Sequence, residues 1–292
     1  MAFERILLRH LAEILGDLVE INYKVGTLEM SFDILIHGDM PKIDQVEIPK
    51  VFKTPHKHIC EFKSTRDVYR SNDIVKVIGY AAFYSYNQKY TLIDFNSKVM
   101  MWLVVAKTTK ELKNLIKEGW LIPENFNGIY KLKILNNYRI MLIEELDIEQ
   151  DNLPFLISGP KKTIKKLLNY YSNKKIKFDE NIIKYLTYRY LIDHGEFKDM
   201  PNLEQVFKVD VKKSIREAIK DLGIKFVIEA VGLKEVIEAV GLKEVIEAVG
   251  LKEVIEAVGL KEVIEAVETK KLLEIIGENE IRTWLEQKNN SK

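Results

Sequence analysis

Apolar and polar positions alternate along this chain with three different periods, and the periods divide it. In residues 1–150 helical and strand spacing take turns. Ile6, Leu7, Leu11, Ile14 and Leu15 recur at three and four residues, which predicts an amphipathic helix over Phe3 to Leu15. Leu18 to Val25 alternates as a strand does, and Ser31 to His37 and His58 to Lys63 are short strand-like runs. Asn72 to Tyr86 predicts a helix on Ile74, Val77, Ile78, Ala81 and Ala82, behind a polar cap. Val99 to Ala106 is apolar throughout, the pattern of a strand buried on both faces. A helix over Thr109 to Glu118 and a hairpin of Tyr130 to Leu135 with Tyr138 to Ile143 complete the order α-β-β-β-α-β-α-β-β. The expected fold is therefore α/β: a mixed sheet flanked by helices.

From residue 151 the period changes to helix alone. Lys161 to Tyr171, Glu180 to Tyr190 and Asn202 to Leu222 carry helical spacing, and Gly159-Pro160 punctuates the entry. From Val227 a third period takes over. The nonapeptide Val-Ile-Glu-Ala-Val-Gly-Leu-Lys-Glu recurs four times unchanged and a fifth time, at Val263 to Lys271, in degenerate form. Within Leu233 to Val240 the apolar residues share one helical arc and Lys234, Glu235 and Glu238 share the other, with Gly241 next. Nine residues advance a helix by two and a half turns, so in a continuous helix successive apolar faces would oppose each other. Short helices that turn at each glycine and stack on one core resolve this; one long helix covered by a partner chain is the alternative. The expected division is 1–150 for the α/β core, 151–222 for a helical region and 223–292 for an all-α tail of tandem repeats.

Composition narrows the class. With 47% apolar and 30% charged residues, 14 Gly and 7 Pro in 292, the chain has the makings of a core and is no low-complexity protein. Its longest apolar run, eight residues, is far below the ~20 of a membrane helix, so no membrane partner is expected. The first residues lack a basic stretch followed by an apolar run. Cys60 is the only cysteine, which excludes an internal disulfide and a multi-cysteine zinc site. These features together predict a cytoplasmic protein. The net charge of +1 conceals a mildly basic body and a mildly acidic tail. Lys161, Lys162, Lys165 and Lys166, near Tyr170 and Tyr171, could track a phosphate backbone; the plainer reading, a solvated helix face and loop, is the preferred one.

Candidate chemistry lies where charge interrupts apolar strands. Asp33 stands in Ser31-Phe32-Asp33-Ile34-Leu35-Ile36, and Glu61 and Lys63 stand in Ile59-Cys60-Glu61-Phe62-Lys63. Alternation puts Glu61 and Lys63 on one strand face and Cys60 and Phe62 on the other. If the two strands are neighbours, Asp33 and Glu61 converge as hard oxygen ligands suited to Mg²⁺ or Mn²⁺, with Lys63 placed to assist a bound water or a developing charge. His56 and His58 have no third ligand near in sequence and read as ordinary polar residues.

With 27 residues between Asp33 and Glu61-Phe62-Lys63, behind an amphipathic helix, the arrangement resembles the PD-(D/E)XK nuclease superfamily. Phe32 stands where that pattern often has Pro. The order of core, helical region and glycine-punctuated repeats further resembles prokaryotic recombination-promoting nucleases and transposase-related proteins. The resemblance implies a metal-dependent nuclease acting on DNA, with Asp33 and Glu61 as metal ligands, Lys63 as catalytic lysine and Glu4 as the helix acid. It also implies accessory roles for Lys76 and Tyr80, which fall in the register of a polar residue and a Tyr four positions later. A protein that keeps this fold without cleaving, and binds nucleic acid or assembles as a homo-oligomer through its repeats, fits the same sequence.

Overall fold

The computed structural model describes residues 2–24, 31–40, 42–43, 48–64, 69–174, 180–192, 211–223, 227–228, 233–241 and 245. The chain divides into two compact units, one of residues 1–190 with 195–201 and one of residues 191–194 with 202–292.

The first unit is built on a seven-stranded mixed sheet. In chain order its elements are α1 (Ala2–Leu15), β1 (Val19–Lys24), β2 (Ser31–His37), β3 (Lys57–Lys63), α2 (Asn72–Asn87), α3 (Leu92–Lys98), β4 (Val99–Val105), α4 (Lys110–Lys117), β5 (Leu121–Pro123), β6 (Ile129–Leu132) and β7 (Tyr138–Leu142). Helices α5 (Leu153–Leu156), α6 (Lys161–Lys174) and α7 (Glu180–Ile192) follow. The strand order is β1-β2-β3-β4-β7-β6-β5. β4 lies in the middle, parallel to both β3 and β7, and its apolar run is buried at six of seven positions. Antiparallel ribbons extend both sides: β1-β2-β3 on one, β7-β6-β5 on the other. Most of the elements expected from the sequence are present within a residue or two of their expected bounds. The first hairpin strand ends at Leu132 rather than Leu135, α6 runs three residues past Tyr171, and residues 202–210 of the helix expected over Asn202 to Leu222 lie outside the described residues. Three short ones, α3, α5 and β5, are additional.

Each face of the sheet carries its own packing. Leu35, Ile59, Met101, Leu103, Val105, Tyr138, Ile140 and Leu142 face α2, which answers with Val77, Tyr80, Ala81 and Tyr84 at helical spacing. On the opposite face Trp102 packs on Phe52, ring centroids 4.8 Å apart, and Phe52 stacks on Phe155 of α5 at 5.6 Å. The parallel β3–β4 pair needs a crossover, and α2 with α3 supplies it. That connection lays the first turns of α2 beside the charged end of β3.

In the second unit α8 (Val211–Leu222) packs with α9 (Leu233–Val240), and the Arg216 Nε–H donates to the Ala239 carbonyl at 2.8 Å. Helix α9 is one repeat unit. Val236 and Ala239 are buried, and Gly241 ends the helix at φ +95° with its N–H on the Ile237 carbonyl at 2.8 Å. That backbone conformation favours glycine. Most of the remaining repeat residues lie outside the described set.

Candidate functional site

The site grows from the β2–β3 register. Ile34 pairs with Cys60 in an antiparallel ladder and Leu35 with Ile59. One step further, the same register sets Asp33 opposite Glu61, on the sheet face shared with Leu35 and Ile59. The half-buried Asp33 is tied in place, because its Oδ2 accepts the Phe62 N–H at 2.7 Å. A side-chain carboxylate thus takes a main-chain N–H of the neighbouring strand, and the acid stays beside Glu61.

Glu61 and Lys63 project to one side of β3, as alternation requires, and both are nearly buried at 5% and 6% exposure. Burial of charge demands a partner. Lys63 Nζ lies 3.1 Å from Asp73 Oδ1 and 3.7 Å from Glu61 Oε1. Asp73, in the first turn of α2, is the residue that sequence reasoning passed over. It does two things: Oδ1 receives Lys63, and Oδ2 accepts the Arg70 N–H at 2.8 Å. An acid in a helix's first turn is ordinary on dipole grounds. The only sequence signal was its place one helix entry after a Glu-x-Lys strand.

One turn further along α2, Lys76 reaches the same oxygen from outside, with Nζ 2.5 Å from Glu61 Oε1. Its ammonium also lies 5.3 Å from the centre of the Tyr80 ring. Burial works against the charge of Lys76. The Glu61 and Tyr80 hydrogen bonds and the Glu61 charge outweigh it and hold the pKa above the usual lysine value.

Asp33, Glu61, Lys63, Lys76 and Tyr80 therefore share the α2 side of the sheet, joined by Asp73. Glu4 lies on α1, and its side chain is outside the described residues. Two hard carboxylate oxygen donors on adjacent strands suit a divalent cation such as Mg²⁺. Among the described residues no group of three His, Cys, Asp or Glu side chains is placed to hold a metal. Behind the site the hydroxyls of Tyr69 and Tyr138 are buried with no hydrogen-bond partner. Burial pushes both pKa values up, with Asp73 adding its charge to each, so both phenols keep their protons.

The remaining candidates fall elsewhere. Lys162, Lys165 and Lys166 line the exposed side of α6 and Lys161 is half-buried, while Thr163, Ile164, Leu167 and Tyr171 face inward. Cys60 is buried on the side of β3 away from Glu61. His58 departs from its reading as an ordinary polar residue. It is fully buried, and the Trp102 indole N–H donates to its Nδ1 at 2.9 Å. Among the described residues no helix is long and apolar enough to cross a membrane.

No protein family, curated protein or solved structure matches the chain.

Proposed function

We propose that this chain is a metal-dependent nuclease of the PD-(D/E)XK type, hydrolysing DNA phosphodiesters, with a role in recombination or mobile elements. The observation that carries the reading is the convergence of two acids and a buried lysine. Asp33 is pinned opposite Glu61 by the Phe62 amide, and Lys63 is sealed between Glu61 and Asp73. A fold with no use for charge at this place would fill it with apolar side chains at lower cost.

Asp33 and Glu61 would hold Mg²⁺ or Mn²⁺, which when bound polarises a phosphoryl oxygen and makes a water nucleophilic at neutral pH. The protein's own part is positional. Asp33 is preset by a main-chain hydrogen bond. Asp73 pairs with Lys63 and aims it along the Glu61 edge, where its ammonium can steady a water or the charge developing on phosphate. Glu4, on α1, is read as the fourth acid. The exposed lysines of α6, Lys162, Lys165 and Lys166, with Lys161 beside them, supply a surface for the DNA backbone. The repeats are read as short helices stacked on one shared core.

The test is cleavage of linear, nicked, branched and single-stranded DNA by the full chain with and without Mg²⁺. Asp33→Ala and Glu61→Ala should each abolish cleavage, and Lys63→Ala should lose roughly 10²-fold or more of the rate. Full activity in Asp33→Ala would end the assignment. Neutralising Lys162, Lys165 and Lys166 should weaken DNA binding uniformly over sequences. It should also flatten the salt dependence by up to roughly 0.9 log unit per contact.

A further inference from the structure

Two lysines meet Glu61 at one oxygen, and they differ in kind. Lys63 is nearly buried, stands 3.7 Å away and makes its closer contact, 3.1 Å, with Asp73. Lys76 stands at 2.5 Å, comes from a helix rather than the strand, and its side chain is 43% exposed. Lys63 is thus built in, and Lys76 is a long side chain laid over Glu61 from the solvent side along the ring of Tyr80. A carboxylate as buried as Glu61 needs a cation against it, and this one has a removable cation.

From this geometry we infer that Lys76 is a resident counter-ion which competes with the divalent metal for Glu61. A metal gains that carboxylate only as Lys76 withdraws. The inference rests on Asp33 and Glu61 being the metal ligands. Its physical content is an exchange of one cation for another at a single carboxylate. Lys76 holds Glu61 compensated in the metal-free protein and sets a threshold on metal entry. When Lys76 leaves, its ammonium enters solvent at the mouth of the site with its charge unspent.

The experiment measures Mn²⁺ binding to the full chain by the loss of the free-ion electron paramagnetic resonance signal, together with melting temperature with and without Mn²⁺. Lys76→Met should bind Mn²⁺ roughly tenfold more tightly than the parent, since metal no longer has to break the ion pair. Its metal-free melting temperature should fall and its Mn²⁺-induced rise should grow. Lys76→Gln, which keeps a hydrogen-bond donor without the charge, guards against misfolding of the Met variant and should shift affinity the same way. Lys117→Met, on the exposed side of α4, should leave affinity unchanged, and Glu61→Gln should remove binding in both backgrounds. Equal Mn²⁺ affinity in the parent, Lys76→Met and Lys76→Gln overturns the competition and leaves the metal ligands standing. Failure of the parent and both variants to bind Mn²⁺ at millimolar concentration overturns the ligand assignment itself, and the competition with it.

Discussion

His58 shows how one side chain can carry the pH dependence of a core. An indole N–H can only donate, so His58 Nδ1, which takes the Trp102 proton, must be unprotonated, and the ring proton sits on Nε2. Burial is the main force lowering the pKa to about 3, with His56 adding to it against the opposing pull of the Thr54 and Phe52 carbonyls. The folded value lies below the ordinary 6.5. The contribution of His58 to stability is therefore full above pH 6.5 and is lost as pH falls from there toward 3. Between pH 7.5 and 4.5 this one group should remove roughly 2–3 kcal/mol. Urea unfolding midpoints across that range should fall more steeply for the parent than for His58→Gln, which keeps an acceptor for Trp102; equal slopes would refute the account. The sequence could not announce this role. His58 follows His56 and Lys57 in a polar stretch, and its partner stands 44 residues away on β4. The acids were different. Asp33, Glu61 and Lys63 could be read directly, since each breaks an apolar strand, while Asp73 looked like any acid at a helix start.

Among the described elements, α3 is thinly buried. It is seven residues long, buries none of them and leaves Leu92 and Ile93 more than three-quarters exposed. A helix this short does not stand alone in water. Phe95 packs on the core and its carbonyl accepts the Asn137 Nδ2–H at 3.3 Å; the rest of the helix's support is its cap, where Asp94 N–H donates to Thr91 Oγ1 at 3.1 Å and Thr91 N–H to Asp94 Oδ2 at 3.0 Å. Lys98 also pairs with Asp94 and, with Thr91, brings its carboxyl down to about 2. Replacing Thr91 by Ala should cost α3 about 1 kcal/mol. The loss should be local: faster amide exchange in residues 95–98 with an almost unchanged global melting temperature. A large fall in melting temperature would mean that α3 anchors the crossover. The absence of apolar periodicity explains why α3 was not expected from the sequence. The long apolar run of β4 and the helical spacing of α2 needed no tertiary information to be seen. β5 did, since three residues ending in Pro123 become a strand only by pairing with β6.

At the scale of the whole molecule, the nonapeptide provides the clearest trial of architecture. The described unit ends its helix at Gly241 with a left-handed backbone. If every unit ends so, deletion of Val236 to Glu244 removes one step from a quasi-one-dimensional array. Circular dichroism should then report the same small helix loss for each unit removed, and sedimentation an unchanged oligomeric state. A continuous helix instead rotates all that follows by half a turn. Assembly would then fail with one unit deleted and recover with two.

The parallel pairing of β3 with β4 has a consequence in time. The β1–β2–β3 ribbon is joined by nearer neighbours in sequence, whereas Lys63 and the start of β4 are separated by 35 residues that must be gathered first. In refolding, the ribbon bearing Asp33 and Glu61 can therefore form while one flank of β3 still faces water. Pulse-labelled amides of the β2–β3 ladder should gain protection before those of β3 with β4. The acids would meet early, and the dry wall behind them would close last.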